Sequence, residues 1–190
     1  GLIKIKDGVY YGSFRGRIMF PISDSSGRVI AFSGRIFGKT DSEEAKYLNS
    51  PDTPLFNKSN VLFGIDKAKN NIRTRGYSII VEGQMDLILS HQAGFTNTVA
   101  VSGTALADTV TDSKEDKINN LGLIRRLSPN VIFAYDGDEA GIRAASRSAM
   151  IAMSLDMQVK IAVLPEGKDP ADVIFENSDI WKDTIKNAVN

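Results

Sequence analysis

The sequence predicts an α/β protein, an open parallel sheet flanked by helices and preceded by a small mixed α/β part that holds an antiparallel hairpin. Three observations predict it. From residue 77 onward, short β-branched runs alternate with stretches of helical period. Before that, two β-rich runs within residues 14–37 flank a single turn signal. Between the two, residues 38–60 are rich in Pro, Asn, Ser and Asp and read as an ordered loop.

Each element follows from a local pattern. The hairpin of residues 14–37 turns at Asp24-Ser25-Ser26-Gly27, four residues that favour tight turns. Residues 64–75 form a short basic helix by their spacing. Residues 77–81 are apolar and β-branched, hence a strand. Residues 84–93 have helical period and stop at Gly94, which suits a helix end. Residues 98–101 form a second strand, and 118–127 have helical spacing after a polar stretch at 108–117 that should be exposed. Residues 131–135 form a third strand, 139–155 an Ala-rich helix and 159–164 a fourth strand. Pro170 suits the first turn of a helix, and the closing DIWKDTIKNAV is amphipathic. Strands separated by single helices imply βαβ units in one parallel sheet. The expected division is 1–75 for the first part and 76–190 for the parallel part.

Composition narrows the chemistry. At 42% apolar and 24% charged residues the chain is globular in class, not disordered. No apolar run approaches the roughly 18 residues that span a bilayer, so no membrane partner is expected. There is no N-terminal signal pattern. Cysteine is absent, which excludes disulfides and thiolate zinc sites and fits a cytoplasmic protein. With one histidine, His91, any metal must be held mostly by carboxylates, which favours Mg²⁺ or Mn²⁺ over Zn²⁺. The formal net charge of zero hides an asymmetry. Residues 1–75 carry 13 Lys+Arg against 7 Asp+Glu, and the remainder carry 10 against 16. A basic half suited to phosphates thus adjoins an acidic half suited to cations.

Ligands of open α/β sheets bind outside the carboxyl ends of the strands, so the residues that end each strand are the informative ones. The first strand ends in Val81-Glu82-Gly83, the third in Tyr135-Asp136-Gly137-Asp138, and the fourth leads through Leu164-Pro165 to Asp169. Asp86 follows Glu82 by about one helical turn and could face the same cleft. Crowded carboxylates tolerate one another when a cation neutralises them, and hard oxygen donors with open positions suit Mg²⁺ carrying substrate phosphates. Gly83 and Gly137 are expected to let the backbone turn sharply beside these acids. Asp-Gly-Asp after a strand is also common in plain turns; its occurrence after a Glu-Gly strand end, with a third acidic loop following, is more specific.

That arrangement resembles the Toprim domain, shared by bacterial primases, topoisomerases, recombination-repair proteins and some nucleases. The flanking segments FRGRIMFPI (14–22), AFSGR (31–35), KYLNSPDTPLFNKSNVLFG (46–64), VEGQMD (81–86), HQAGF (91–95), YDGDEAG (135–141) and LPEGKDPAD (164–172) resemble, in order, the catalytic core of bacterial DnaG-type primases. The resemblance implies a Toprim-type fold and Mg²⁺-dependent nucleotidyl transfer that makes RNA primers on a single-stranded DNA template from NTPs, leaving an RNA–DNA hybrid. It implies that Glu82, Asp136 and Asp138 are catalytic metal-binding acids, with Asp86 and Asp169 as further acids of the cleft. It implies that Arg35, Lys46, Tyr47, Asn49 and Lys58 hold nucleotide or DNA. Zinc and a replicative helicase are implied only for domains outside this chain, which reads as a fragment of weak activity alone. The departures are Gln84 where an aromatic is common, Ala171 where a second acid is common, and an apparent insertion at 108–117.

Other residues have plainer readings. His91 is expected to pack, Trp181 to cover the core, and Arg143 and Arg147 to pair with nearby acids or touch phosphate. Arg125-Arg126 reads as a solvated face, and the hairpin aromatics as packing residues, with Tyr47 the best placed to stack on a base. Three alternatives stand beside the primase reading. They are a Toprim nuclease or topoisomerase, a catalytically silent nucleic-acid-binding module, and a phosphatase, which would need a nucleophilic Asp after its first strand.

Overall fold

The computed structural model describes residues 2–38, 45–101 and 114–190, with only the backbone described at 114–119. Ile3–Lys6 (β1) and Val9–Gly12 (β2) form an antiparallel hairpin across Asp7-Gly8, where both residues have positive φ (51° and 76°). The sequence reading began its strands later and missed this hairpin. Its signal was an Asp-Gly pair between alternating runs. Arg17–Ser23 (β3) and Val29–Ile36 (β4) form the predicted hairpin, with Asp24 Oδ1 accepting the N–H groups of Ser26 and Arg28 in the turn.

The stretch 38–60 is not all loop. Tyr47–Asn49 (β5) adds to β4 as a third antiparallel strand, and Lys58–Asn60 forms one 3₁₀ turn. A strand of three residues has no periodicity to read, and its pairing is set by a distant partner. Residues 39–44 lie outside the described part.

Then come Ile65–Arg75 (α1), Ser78–Val81 (β6), Gln84–Gln92 (α2), Thr98–Ala100 (β7), Lys114–Leu127 (α3), Asn130–Phe133 (β8), Glu139–Ser154 (α4), Gln158–Ile161 (β9), Pro170–Glu176 (α5) and Ser178–Lys186 (α6). Of the polar stretch at 108–117, residues 108–113 lie outside the described part and the rest opens α3. The four parallel strands run in the order β7-β6-β8-β9, as the βαβ alternation predicts.

Alternation along β6 divides the core. Ile80 faces one layer with Val99, Val131 and Phe133, against Ile72 of α1, Leu121 and Ile124 of α3, and Ala145, Ala149 and Ala152 of α4. Ile79 and Val81 face the other layer, against Leu87 of α2, Val173 and Ile174 of α5, and Trp181 and Ile185 of α6. The β3–β4 hairpin joins this second layer through Phe20, Ile22 and Ala31. Sheet order and helix placement therefore leave one open rim at the carboxyl ends of the strands.

Trp181 is fully buried and meets Phe95 edge-on, with ring centroids 6.0 Å apart. Its buried indole N–H has no acceptor among the described residues. Replacing Trp181 with Ala should cost about 3–5 kcal/mol in urea unfolding. Trp181→Phe should cost less than half as much, because it removes an unsatisfied donor and keeps an aromatic ring. Equal losses in the two variants would refute this account.

Candidate active site

The rim collects the acids that the sequence singled out. Glu82 follows β6 directly, and Asp136 lies three residues past the end of β8, the strand beside it. The Asp136 N–H donates to Glu82 Oε1 over a long 3.4 Å. Asp138 caps α4, its Oδ1 accepting the Gly141 N–H at 2.7 Å. Asp169 caps α5 in the same way, accepting the Asp172 N–H at 2.7 Å. Asp86 is buried, and both of its oxygens are engaged. Oδ2 accepts the Gly83 N–H at 2.9 Å, and Oδ1 accepts the Ala171 N–H at 3.2 Å.

The glycines act differently from the expectation. Neither Gly83 nor Gly137 has positive φ, so neither makes a sharp left-handed turn. Both permit close approach instead. A Cβ on Gly137 would lie 2.2 Å from the Pro165 carbonyl oxygen, and one on Gly83 would lie 2.9 Å from Asp86 Oδ2. The Gly137 N–H donates to Lys168 O, and the Gly167 N–H donates to Gly137 O. This lacing ties the loop after β8 to the loop after β9 and fixes Asp136 relative to Asp169.

Crowding shows in the electrostatics. Burial raises Asp136 to about 7, with Glu82, Asp169 and Asp138 adding repulsion and Lys46 opposing it. Burial raises Asp86 to about 7 as well, reinforced by Asp169. Glu82 is raised by burial and by Asp138. Among the described residues no three carboxylates stand in a geometry that closes round a cation. Their chemistry nonetheless fits one: hard oxygen donors, mutually repelling and incompletely neutralised by Lys46.

The opposite wall comes from the small sheet. Arg35 pairs with Tyr47 across β4 and β5, and Asn49 lies two residues on, so all three share one face. The Arg35 guanidinium sits over the Tyr47 ring, 5.9 Å from its centroid. A cavity of ≈ 400 Å³ is lined by Arg35, Lys46, Tyr47 and Asn49 on this side and by Glu82, Asp86, Asp136 and Asp169 on the other. Asp138 is not part of this lining, although its charge acts on Glu82 and Asp136. Lys58 does not join them; it is exposed on the 3₁₀ turn, where its N–H donates to Asp52. The sequence reading missed the apolar part of the lining, Met85, Leu89 and Phe175, although Met85 and Leu89 have helical spacing. A larger concavity of ≈ 970 Å³ lies at the amino ends of the strands and has no carboxylate side chain in its lining. Most of the acids and bases singled out in the sequence line the smaller one.

His91 and Arg143 take their plain readings, whereas Phe37, read with the hairpin aromatics as packing, is 72% exposed. His91 donates from Nε2 to Thr98 O at 2.9 Å, given that tautomer, and Arg143 pairs with Glu139 one turn away at 3.0 Å. No helix among the described residues is long and apolar enough to cross a membrane.

A parallel sheet whose adjacent strand ends carry Glu-Gly and Asp-Gly-Asp defines a Toprim-type domain, and residues 79–174 match the family model described as Toprim-like. Residues 1–69 match the model of the DNA primase catalytic core, N-terminal domain, and the chain belongs to the DnaG-type DNA primase family. It is 41% identical over 176 residues to DNA primase of Campylobacter jejuni and 43% identical over 169 residues to that of Listeria monocytogenes. These alignments cover 93% and 88% of this chain but only 27% and 25% of the relatives, so it spans about a quarter of their length. The crystal structure of Aquifex aeolicus primase, zinc-binding and RNA polymerase domains, superposes with a TM-score of 0.85 at 35% identity, covering 98% of this chain and 44% of that one. A DnaG primase catalytic domain bound to ssDNA superposes with a TM-score of 0.82 at 33% identity, covering 99% and 56%. These relatives support the primase reading over the nuclease, topoisomerase and phosphatase alternatives. Toprim primase domains are divalent-metal dependent as a class.

Two predictions follow from the rim. In cation-free protein, folded Asp86 and Asp136 hold their protons up to about pH 7, whereas unfolded aspartates release them near 3.8. The folded state then binds more protons, so stability from these groups falls as pH rises from about 4 to about 7. With a chelator present, Tm should drop between about pH 4 and about pH 7, and Asp136→Asn should flatten that slope. A slope unchanged by the substitution would contradict the assignment. Gly137→Ala should destabilise by about 1–3 kcal/mol in urea unfolding, because the Pro165 loop must move. A variant of native stability would show that the lacing is slack.

Proposed function

We propose that this cleft is the nucleotide-polymerising centre of a DNA primase, joining ribonucleotides on a single-stranded DNA template. The observation that supports it best is one cavity with acids of three strand ends on one wall and Arg35 and Lys46 on the other. Polymerisation needs both, a cation seat and a grip on phosphate.

In this reading Glu82, Asp136 and Asp138 would hold Mg²⁺ or Mn²⁺, with Asp169 and Asp86 beside them. When bound, the cation would neutralise the triphosphate and stabilise charge on the departing pyrophosphate. Arg35 and Lys46 hold phosphate oxygens across the cleft. Asn49 supplies an amide for hydrogen bonding, and Tyr47 fixes the Arg35 guanidinium by stacking. Lys58, exposed and outside the cavity, holds the template backbone and not the triphosphate. The 3′-hydroxyl loses its proton to solvent as its oxygen bonds to the α-phosphorus, the bond from that phosphorus to the bridging oxygen breaks, and pyrophosphate leaves. The RNA–DNA hybrid product grows out of the same cleft. A replicative helicase is expected to engage parts of the relatives that this chain does not span.

Calorimetric titration of Mn²⁺, with and without a nucleoside triphosphate, tests this. Wild type should bind metal, and bind the triphosphate only with it. A double variant, Asp136→Ala with Asp138→Ala, should bind metal more than about tenfold more weakly. Equal binding by both proteins would mean that these acids are structural and that the reading is wrong.

A further inference from the structure

Phe175 is the most exposed large hydrophobic side chain among the described residues, at 85%. Folding does not require it there. Helix α5 buries Pro170, Val173 and Ile174, and Phe175 stands off that face. It belongs instead to the lining of the cleft, one turn beyond Ala171 and Asp172. Met85 and Leu89, one turn apart on α2, line the same cavity, and α2 packs directly on α5. The two helices thus form an apolar shelf that continues from the acidic rim.

The shelf's surroundings specify its occupant. The cleft seats cations on one wall and phosphate on the other, and neither wall offers a flat apolar surface. A nucleotide carries both parts, a polyanion joined to a base with two π-faces. Tyr47, the other aromatic of the cavity, is half-buried and already covered by Arg35, so it is not the open face. An exposed ring beside a cationic groove is the arrangement by which single-stranded nucleic acids are held through stacking, whatever the base.

We propose that Phe175, flanked by Met85 and Leu89, is the stacking platform for a nucleobase whose phosphates lie in the cleft. The proposal rests on the polymerising reading given above. The base can come from the incoming nucleoside triphosphate or from the single-stranded template. Stacking is common to both sources, and the experiment separates them.

The only native tryptophan, Trp181, is fully buried, so Phe175→Trp adds a single exposed indole with a red-shifted emission. The substitution is at the surface and should not disturb folding. With Mn²⁺ present, a nucleoside triphosphate should quench this emission and inorganic triphosphate should not. A metal-free single-stranded DNA oligomer should quench it if the template supplies the base. Phe175→Ala should bind the quenching ligand roughly tenfold more weakly. Its affinity for inorganic triphosphate should be unchanged. Quenching by either base-bearing ligand supports the platform and names the source. If both ligands bind wild type and Phe175→Ala equally and neither quenches the indole, the platform is overturned while the cleft assignment survives. If neither ligand binds wild type at all, the cleft assignment and the platform fall together.

Discussion

Strands β6 and β8 lie side by side in parallel, with Ile79 opposite Ile132 and Ile80 opposite Phe133. That register decides where the acids meet. Both strands are sandwiched between helical layers, so their residues must be apolar until each chain emerges at the rim. The first polar side chains after emergence, Glu82 and Asp136, therefore enter the same half-buried space. Burial and proximity act in the same direction there, and both carboxyls are held above their ordinary range. A fold that keeps two like charges in such a place needs other contacts to hold the loops that carry them. The lacing of Gly137 to Lys168 and Gly167 supplies those contacts through the backbone, where no change of protonation can undo them.

The acids of the rim do different work. Asp138 and Asp169 each accept one backbone N–H from the first turn of a helix, and both oxygens of Asp86 accept backbone N–H groups. Negative charge at a helix amino end is favourable, so these three are partly stabilised without a cation. Asp136 has no such donor among the described residues, and Glu82 has one long contact. The pair with the least protein support is the pair with the most to gain from a bound cation. Asp86 links the Glu82-Gly83 loop to α5, which makes it the brace of the site more than an open ligand.

The parallel part was legible because its signals are local. Four apolar runs, a helix stop at Gly94, a helix start at Pro170, and the rule that ligands sit at strand carboxyl ends together located Glu82, Asp136 and Asp169. What stayed hidden is set by distant partners. The strand β5 is too short to show a period, and only its pairing with β4 brings Tyr47 and Asn49 beside Arg35. The family resemblance, not spacing, pointed to those residues, and it grouped Lys58 with them although a 3₁₀ turn places it elsewhere. The role of Gly137 was also hidden, because a close approach to Pro165 is a tertiary fact. The hairpin at Asp7-Gly8 is a different case, since its turn signal was plain in the sequence.

The basic and acidic halves of the chain meet in this cavity, but they do not balance there. Arg35 and Lys46 face Glu82, Asp86, Asp136, Asp169 and Asp172, two cations against five carboxyl groups. Burial, reinforced by mutual repulsion, raises Asp86 and Asp136 to about 7, so the site disfavours further negative charge. A triphosphate entering alone would add several charges of the same sign, and two basic side chains could not offset them. In the proposed reading a bound divalent cation would change that sign: it would displace protons from the acids, neutralise the rim, and leave Arg35 and Lys46 to act on phosphate. In that reading the excess of carboxyl groups would disfavour a polyanion that arrives without its cations.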